Sequence, residues 1–479
     1  MGNLKLELNE SAPSKFEWTL AFLLMVIPFM SFCYGDTACF IMYELKFAQA
    51  ILHGNLSEAY EPIVNIKAAS GAGISNLSYY DLPLNLVFGI WGIPLYLYAS
   101  RNGSLEITFP QSFWQMLYGK SILLIAFIVS AVLVYKICTA LDINKNRSRW
   151  GAYIYFSSAM AITAVGIIGQ CDVFAICLTL LGVLAYIRNQ DRKFLLWFVL
   201  AAQFKQFAVF VFIPLMLLRD KNLLRAAGRM LLILAVGAIC NVFIRHASPY
   251  AFMQRTWFTL GNTTKLFNLS RTLPLFNGNV SVFILAFGIL CVYCWFHEYK
   301  DKADKSEVNT QIVFITLLSM VLLFTSFPSF PYWFMHMTPY LAIAAVYHSR
   351  NTGKILLFES VGMAAVIFLN YIIYDWCYTP NNAINMLIHN VLGNPELKSI
   401  NAILNGAITM KRLHHAIILT PLESVYCVCM YAVAYLAYPK KYVQGGGHCV
   451  KSCIMLRLLL NTLVCSIPII LIFLARIRS

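Results

Sequence analysis

Apolar runs of about twenty residues recur along this chain, and the short polar stretches between them carry most of its charge. Trp18–Tyr34, Trp114–Cys138, Val280–Phe296 and Gln311–Ser326 are four such runs. A helix needs roughly 20 apolar residues to cross a hydrocarbon layer about 30 Å thick. Charged residues are 12% of the 479, against about 25% in an ordinary soluble domain. With 59% hydrophobic residues and a mean hydropathy of +0.68, the reading is an all-α polytopic membrane protein. About 11–13 transmembrane helices are expected, with no sizeable soluble domain.

The net charge of +15 does not imply nucleic acid, because Lys and Arg gather in short loops between spans. The positive-inside rule and an anionic inner leaflet account for them. Most of the fourteen cysteines sit in apolar runs and read as small hydrophobes. Lys5 and Lys15 precede the first span without a small-residue cleavage pattern, so an uncleaved anchor with its N-terminus inside is expected.

Positive charge also sets the topology. If Leu84–Tyr98 crossed the membrane, Lys136, Lys145, Arg147 and Arg149 would lie outside. Read as a re-entrant or interfacial segment interrupted by Pro83 and Pro94, it leaves 36–113 as one long first external loop carrying amphipathic and re-entrant helices, with Tyr43, Phe47 and Ile51 at helical spacing. A second external loop covers 245–279. The run Phe194–Leu218 carries Lys205 and Gln206 near its middle. A lysine at the centre of a plain span costs on the order of 3 kcal/mol. Two short helices folding at Lys205-Gln206 instead bring the lysine to a polar apex and keep Arg219, Lys221, Arg225 and Arg229 inside.

This topology places Asp36, Asp81, Asp172, Lys205, Gln206, Arg255 and Lys120 toward the outer face. Cationic groups there suit a phosphate, and a nearby carboxylate suits deprotonation of a hydroxyl. No P-loop, HExxH or GxSxG motif is present. A membrane enzyme without a nucleotide motif would most simply take a lipid-carried substrate.

Several short segments, in order, resemble the GT-C superfamily of polytopic glycosyltransferases. They are Gly35-Asp36-Thr37, Tyr80-Asp81-Leu82-Pro83-Leu84, Gly169-Gln170-Cys171-Asp172, Phe204-Lys205-Gln206-Phe207 followed by Pro214, and Pro331-Tyr332-Trp333-Phe334 with Pro339-Tyr340. The chain is similar in particular to bacterial membrane proteins related to GPI-anchor mannosyltransferases. The resemblance implies a polyprenyl-phosphate sugar donor, a lipid-linked or glycan acceptor, and inverting transfer of a hexose, mannose first among them. It implies Asp36 as catalytic base, with Lys205, Arg255 and Lys120 as donor-phosphate groups. Asp81, Gln170, Asp172, Gln206, Tyr332 and His336 become substrate contacts. No cofactor is required by this reading, although the family leaves room for Mg or Mn.

The resemblance covers residues 18–348. The expected division is therefore a catalytic module, 1–348, followed by transmembrane helices of unassigned role, 349–479. A multi-pass protein of a bacterial plasma membrane or the ER membrane, with its site facing outside or the lumen, is expected. The rival reading is a transporter or lipid flippase. Such proteins place broken helices in corresponding positions of internal repeats, and no repeat is visible here.

Overall fold

The computed structural model describes residues 5–6, 11–32, 35–60, 81–102, 112–249, 251–253, 256, 272–275, 278–298, 305–326, 330–373, 415–439, 449–450, 453–463, 466 and 470. Among them the chain is overwhelmingly helical. Its first helix, α1 (Lys15–Ser31), opens on a capping box. Ser14 Oγ accepts from the Glu17 amide at 3.2 Å, and the Glu17 carboxylate accepts from the Ser14 amide at 2.6 Å. A second helix, α2 (Gly35–Leu52), follows almost at once. Asp36, expected at the start of a loop, therefore stands in the first turn of a helix.

The next helix, α3 (Leu82–Arg101), is continuous where an interrupted segment was expected, and is itself long and apolar enough to cross a membrane. Pro83 falls in its first turn, where a missing amide hydrogen costs nothing, and Pro94 lies inside a helix that continues past it. α2 packs along α3 because position 92 carries no side chain. A Cβ on Gly92 would stand 2.4 Å from Glu44 Cγ and 2.7 Å from the Glu44 carbonyl oxygen.

The longest helix, α4 (Phe113–Ala140), also starts at a capping box, formed by Ser112 and Gln115. After it, α5 (Lys145–Phe156) breaks at Ser157-Ser158 and resumes as α6 (Ala159–Ile162). α6 widens into a π-helical stretch, Thr163–Ile168, and the two halves meet at a 47° bend. Then come α7 (Asp172–Ile187), α8 (Asp191–Phe204) and α9 (Ala208–Arg219).

α8 and α9 form the hairpin expected from Lys205. Phe194 of α8 stacks on Phe212 of α9 with ring centroids 5.1 Å apart. At the open end, Arg219 Nη1 meets Asp191 Oδ1 at 2.7 Å.

The lipid-facing helix α10 (Leu223–Ala247) exposes Leu224, Leu231, Leu234, Ile239 and Val242. Thr272–Leu275 pairs with Gly278–Ser281 as an antiparallel hairpin, at the end of the stretch expected to form the second external loop. It leads into α11 (Val282–Phe296) and the enclosed α12 (Lys305–Ser326). A 3-10 segment, Pro331–Met337, feeds α13 (Thr338–Tyr347). The last helices described are α14 (Thr352–Ile373), α15 (Thr420–Leu436) and α16 (Cys453–Leu463).

Six described helices are long and apolar enough to cross a membrane, or seven if the bent α5–α6 pair counts as one span. Shorter apolar helices, α7, α9, α11 and α16, accompany them. At 1.5 Å per residue such helices reach at most about 25 Å, and one of them, α9, is an arm of the α8–α9 hairpin. The chain is a multi-pass membrane protein.

Candidate active site

The site is assembled at one corner, where α6 ends and α7 begins. Gly169 reverses the chain there with φ +70°, a left-handed conformation that glycine adopts without strain. Space forbids a side chain as well, since a Cβ would lie 2.2 Å from Thr37 Oγ1. That hydroxyl donates to the Ile168 carbonyl at 2.7 Å. Thr37 is the residue after Asp36, so this bond ties the first turn of α2 to the corner that carries Asp172. Two segments 131 residues apart are joined by it.

Asp172 is the first residue of α7, where a carboxylate is favoured by the exposed amides of the helix end. Its Oδ1 is 3.1 Å from Lys205 Nζ and its Oδ2 is 3.3 Å from His336 Nε2. The carboxylate is sealed from solvent with 1% of its side chain exposed, and His336 has 6%, while Lys205 keeps 21%. The lysine therefore faces outward from a closed base. Its extended backbone, φ −158° and ψ 127°, ends α8 and lets the chain turn into α9.

Aromatic rings frame the same lysine. Nζ stands 4.7 Å from the Trp333 ring centroid and 5.6 Å from that of Phe207. Phe207 in turn meets His336 and Trp333 edge-on, at 5.2 Å each. Tyr332 stacks on Phe330 at 5.5 Å beside them. Elements α7, α8 and the 3-10 segment thus converge on one ammonium group, each contributing a different contact. A cation held over aromatic faces and against one carboxylate still has N–H groups to offer an anion.

The other expected residues are placed less centrally. Gln170 is buried at the corner, its backbone N–H donating to the Ala164 carbonyl at 2.8 Å. Gln206 is exposed on the hairpin turn. Asp81 stands at the N-cap of α3. Arg255 lies outside the described residues, as does the side chain of Asp36, whose backbone alone is placed.

Lys120, expected near an outer helix end as a phosphate group, is wholly buried. Its Nζ donates to the carbonyls of Phe29 at 2.6 Å, Phe32 at 2.7 Å and Gly166 at 3.1 Å. Those bonds occupy an ammonium's three donors, so geometry gives Lys120 the work of capping α1 and tying it to α6. It braces the Thr37–Ile168 junction from behind.

Sequence reasoning left Thr37 without a role, although it belongs to a segment singled out. It also passed over Glu44 of α2, fully buried, whose two carboxylate oxygens have no hydrogen-bond partner. Among the described residues, no group of three His, Cys, Asp or Glu side chains stands close enough to hold a metal ion.

No family model matches the chain. No curated protein sequence matches it either. Among solved structures it is similar to ArnT from Cupriavidus metallidurans bound to undecaprenyl phosphate, at 13% identity and a TM-score of 0.43. That alignment covers 88% of this chain and 76% of that one.

Proposed function

We propose that this chain is an integral membrane glycosyltransferase that moves a sugar, a hexose such as mannose, from a polyprenyl-phosphate donor to an acceptor hydroxyl. The observation that carries the reading is the Asp172–Lys205–His336 cluster, tied through Thr37 to the helix turn that bears Asp36. It sets a partly exposed cation close to the helix turn whose Asp36 is the candidate base.

In this reading Asp36 takes the proton of the acceptor hydroxyl as the oxygen attacks the anomeric carbon. The bond from that carbon to the phosphate oxygen breaks on the opposite side, and configuration inverts. Negative charge grows on the departing polyprenyl phosphate, and Lys205 meets it with an ammonium already held in place. Asp172 aims the lysine, and His336 takes the carboxylate's second oxygen so that the first stays on Nζ. Trp333 and Tyr332 offer faces to the sugar or the lipid. Gln170 and Asp81 remain candidates for sugar or acceptor hydroxyls, and Arg255 for the phosphate. The lipid chain of the donor would lie along the membrane-exposed sides of the helices.

Binding tests this directly. Purified protein in detergent should bind polyprenyl phosphate, and Lys205→Gln should weaken that binding at least tenfold, because a charge-assisted contact contributes about 1.5–3 kcal/mol. Equal affinity in folded wild type and variant would remove Lys205 from the phosphate site. Absence of binding by wild type, alongside lipid transfer between leaflets of proteoliposomes, would favour a flippase.

A further inference from the structure

The break between α5 and α6 leaves backbone groups that a continuous helix would have paired. The Ser158 amide donates to the Tyr155 carbonyl at 3.1 Å, three residues back. The Ile154 carbonyl thereby loses the donor four residues on that an α-helix supplies. In apolar surroundings such a group must find another partner.

The partner comes from the other end of the chain. Arg457 and Asn461 are four residues apart on α16 and share one face. Arg457 Nη2 donates to the Ile154 carbonyl at 2.7 Å, and Nη1 to the Ser157 carbonyl at 3.2 Å and Ser157 Oγ at 2.7 Å. Asn461 Nδ2 donates to the same Ser157 carbonyl. The guanidinium is 2% exposed, and its remaining donors go to Glu359 of α14, Nε at 2.7 Å and Nη2 at 3.1 Å. All five N–H groups of the arginine are used. An ion pair alone would not need this arrangement, since Glu359 takes only two of the five.

We propose that α16 is a clamp on this break, with Arg457 and Asn461 acting as positioning residues for the corner that carries Asp172. Ser158 and Gly169 are joined by a single stiff segment, α6 with its π-helical extension. Ser157, the residue just before its first end, is held by Arg457 and Asn461. The other end is held by Lys120 at the Gly166 carbonyl and Thr37 at the Ile168 carbonyl. Loosening the clamp frees the bend, and the far end of the segment moves with it. The last described helices thereby acquire work in the site. The bearing of the clamp on donor binding rests on the function proposed above.

Hydrogen exchange of the full-length protein in detergent, read by mass spectrometry, tests the clamp without assuming any activity. Arg457→Lys keeps a charge for Glu359 but offers three donors where the arginine uses five, while Asn461→Ala disturbs no charge and serves if the first variant fails to fold. In either, peptides covering 158–172 should exchange several-fold to tenfold faster, with the 191–219 hairpin unchanged. Polyprenyl phosphate affinity should fall about tenfold in the same variants. Wild-type protection over 158–172 in a folded variant would overturn the clamp, and so would equal acceleration everywhere, which marks a merely structural role. Faster local exchange in a protein whose wild type binds no polyprenyl phosphate would leave the clamp standing and remove the proposed function.

Discussion

A carboxylate buried as completely as Asp172 persists because side chains from two other elements meet its two oxygens. Removing one partner of such a pair leaves an uncompensated charge, at a cost of about 3–5 kcal/mol. These three residues were visible in the sequence for the same reason, since ionisable groups bordering apolar runs are expensive and need partners. Side-chain direction was not visible. Lys120 was grouped with the outer-face residues, yet it turns inward to three carbonyls. His348, just after α13, shows another burden of burial. Its Nε2 has no hydrogen-bond partner, and burial together with the nearby Arg147 lowers its pKa to about 4. The unfolded imidazole titrates near 6.5, so between those values the unfolded chain binds a proton that the folded chain does not. Stability contributed by this group is present above about pH 6.5 and is lost as pH falls toward 4, at most about 3 kcal/mol. Melting curves of wild type and His348→Gln should diverge across that window, the variant losing less as pH falls; parallel curves would contradict the assignment.

At the scale of elements, the α8–α9 hairpin was legible because a lysine at mid-span had no other cheap solution. The α2 helix was legible in its second half, where Tyr43, Phe47 and Ile51 stand at helical spacing, but not in its full length. Asp36, Glu44 and Lys46 interrupt its apolar pattern, and only its packing on Gly92 of α3 shows why those residues form a buried helix. Prolines misled in the same region, because Pro83 is harmless in a first turn and neighbouring helices support α3 around Pro94. The junction of α2 with the α6–α7 corner depends on a single left-handed glycine. Gly169→Ala forces a strained backbone and displaces the Thr37 hydroxyl. Stability should drop by about 1–3 kcal/mol, read as a lower melting temperature in detergent. An alanine variant as stable as wild type would show that the two segments are not docked as described.

Over the whole molecule, the two ends of the α7–α8–α9 group separate two kinds of chemistry. Asp172, Lys205 and His336 lie at one end, and Asp191, Arg219 and Asn189 at the other, where Arg219 also reaches the Tyr186 carbonyl. Positive charge in the sequence assigned the first end to the outside, a placement that labelling can check. In a background without native thiols, Gln206→Cys should react with an impermeant reagent from outside, and Lys305→Cys only from inside. The reverse pattern would invert the topology. The integration of the last helices was not legible, because Glu359 and Arg457 sit in separate apolar runs and nothing in either run names its partner. The central claim is sugar transfer with Asp36 as base, and turnover measures it most directly. Purified wild type given a polyprenyl-phosphate sugar and an acceptor glycan should release polyprenyl phosphate, and Asp36→Asn should lower that rate by about 10²–10⁴-fold while still binding the donor. Turnover by Asp36→Asn at the wild-type rate would contradict it.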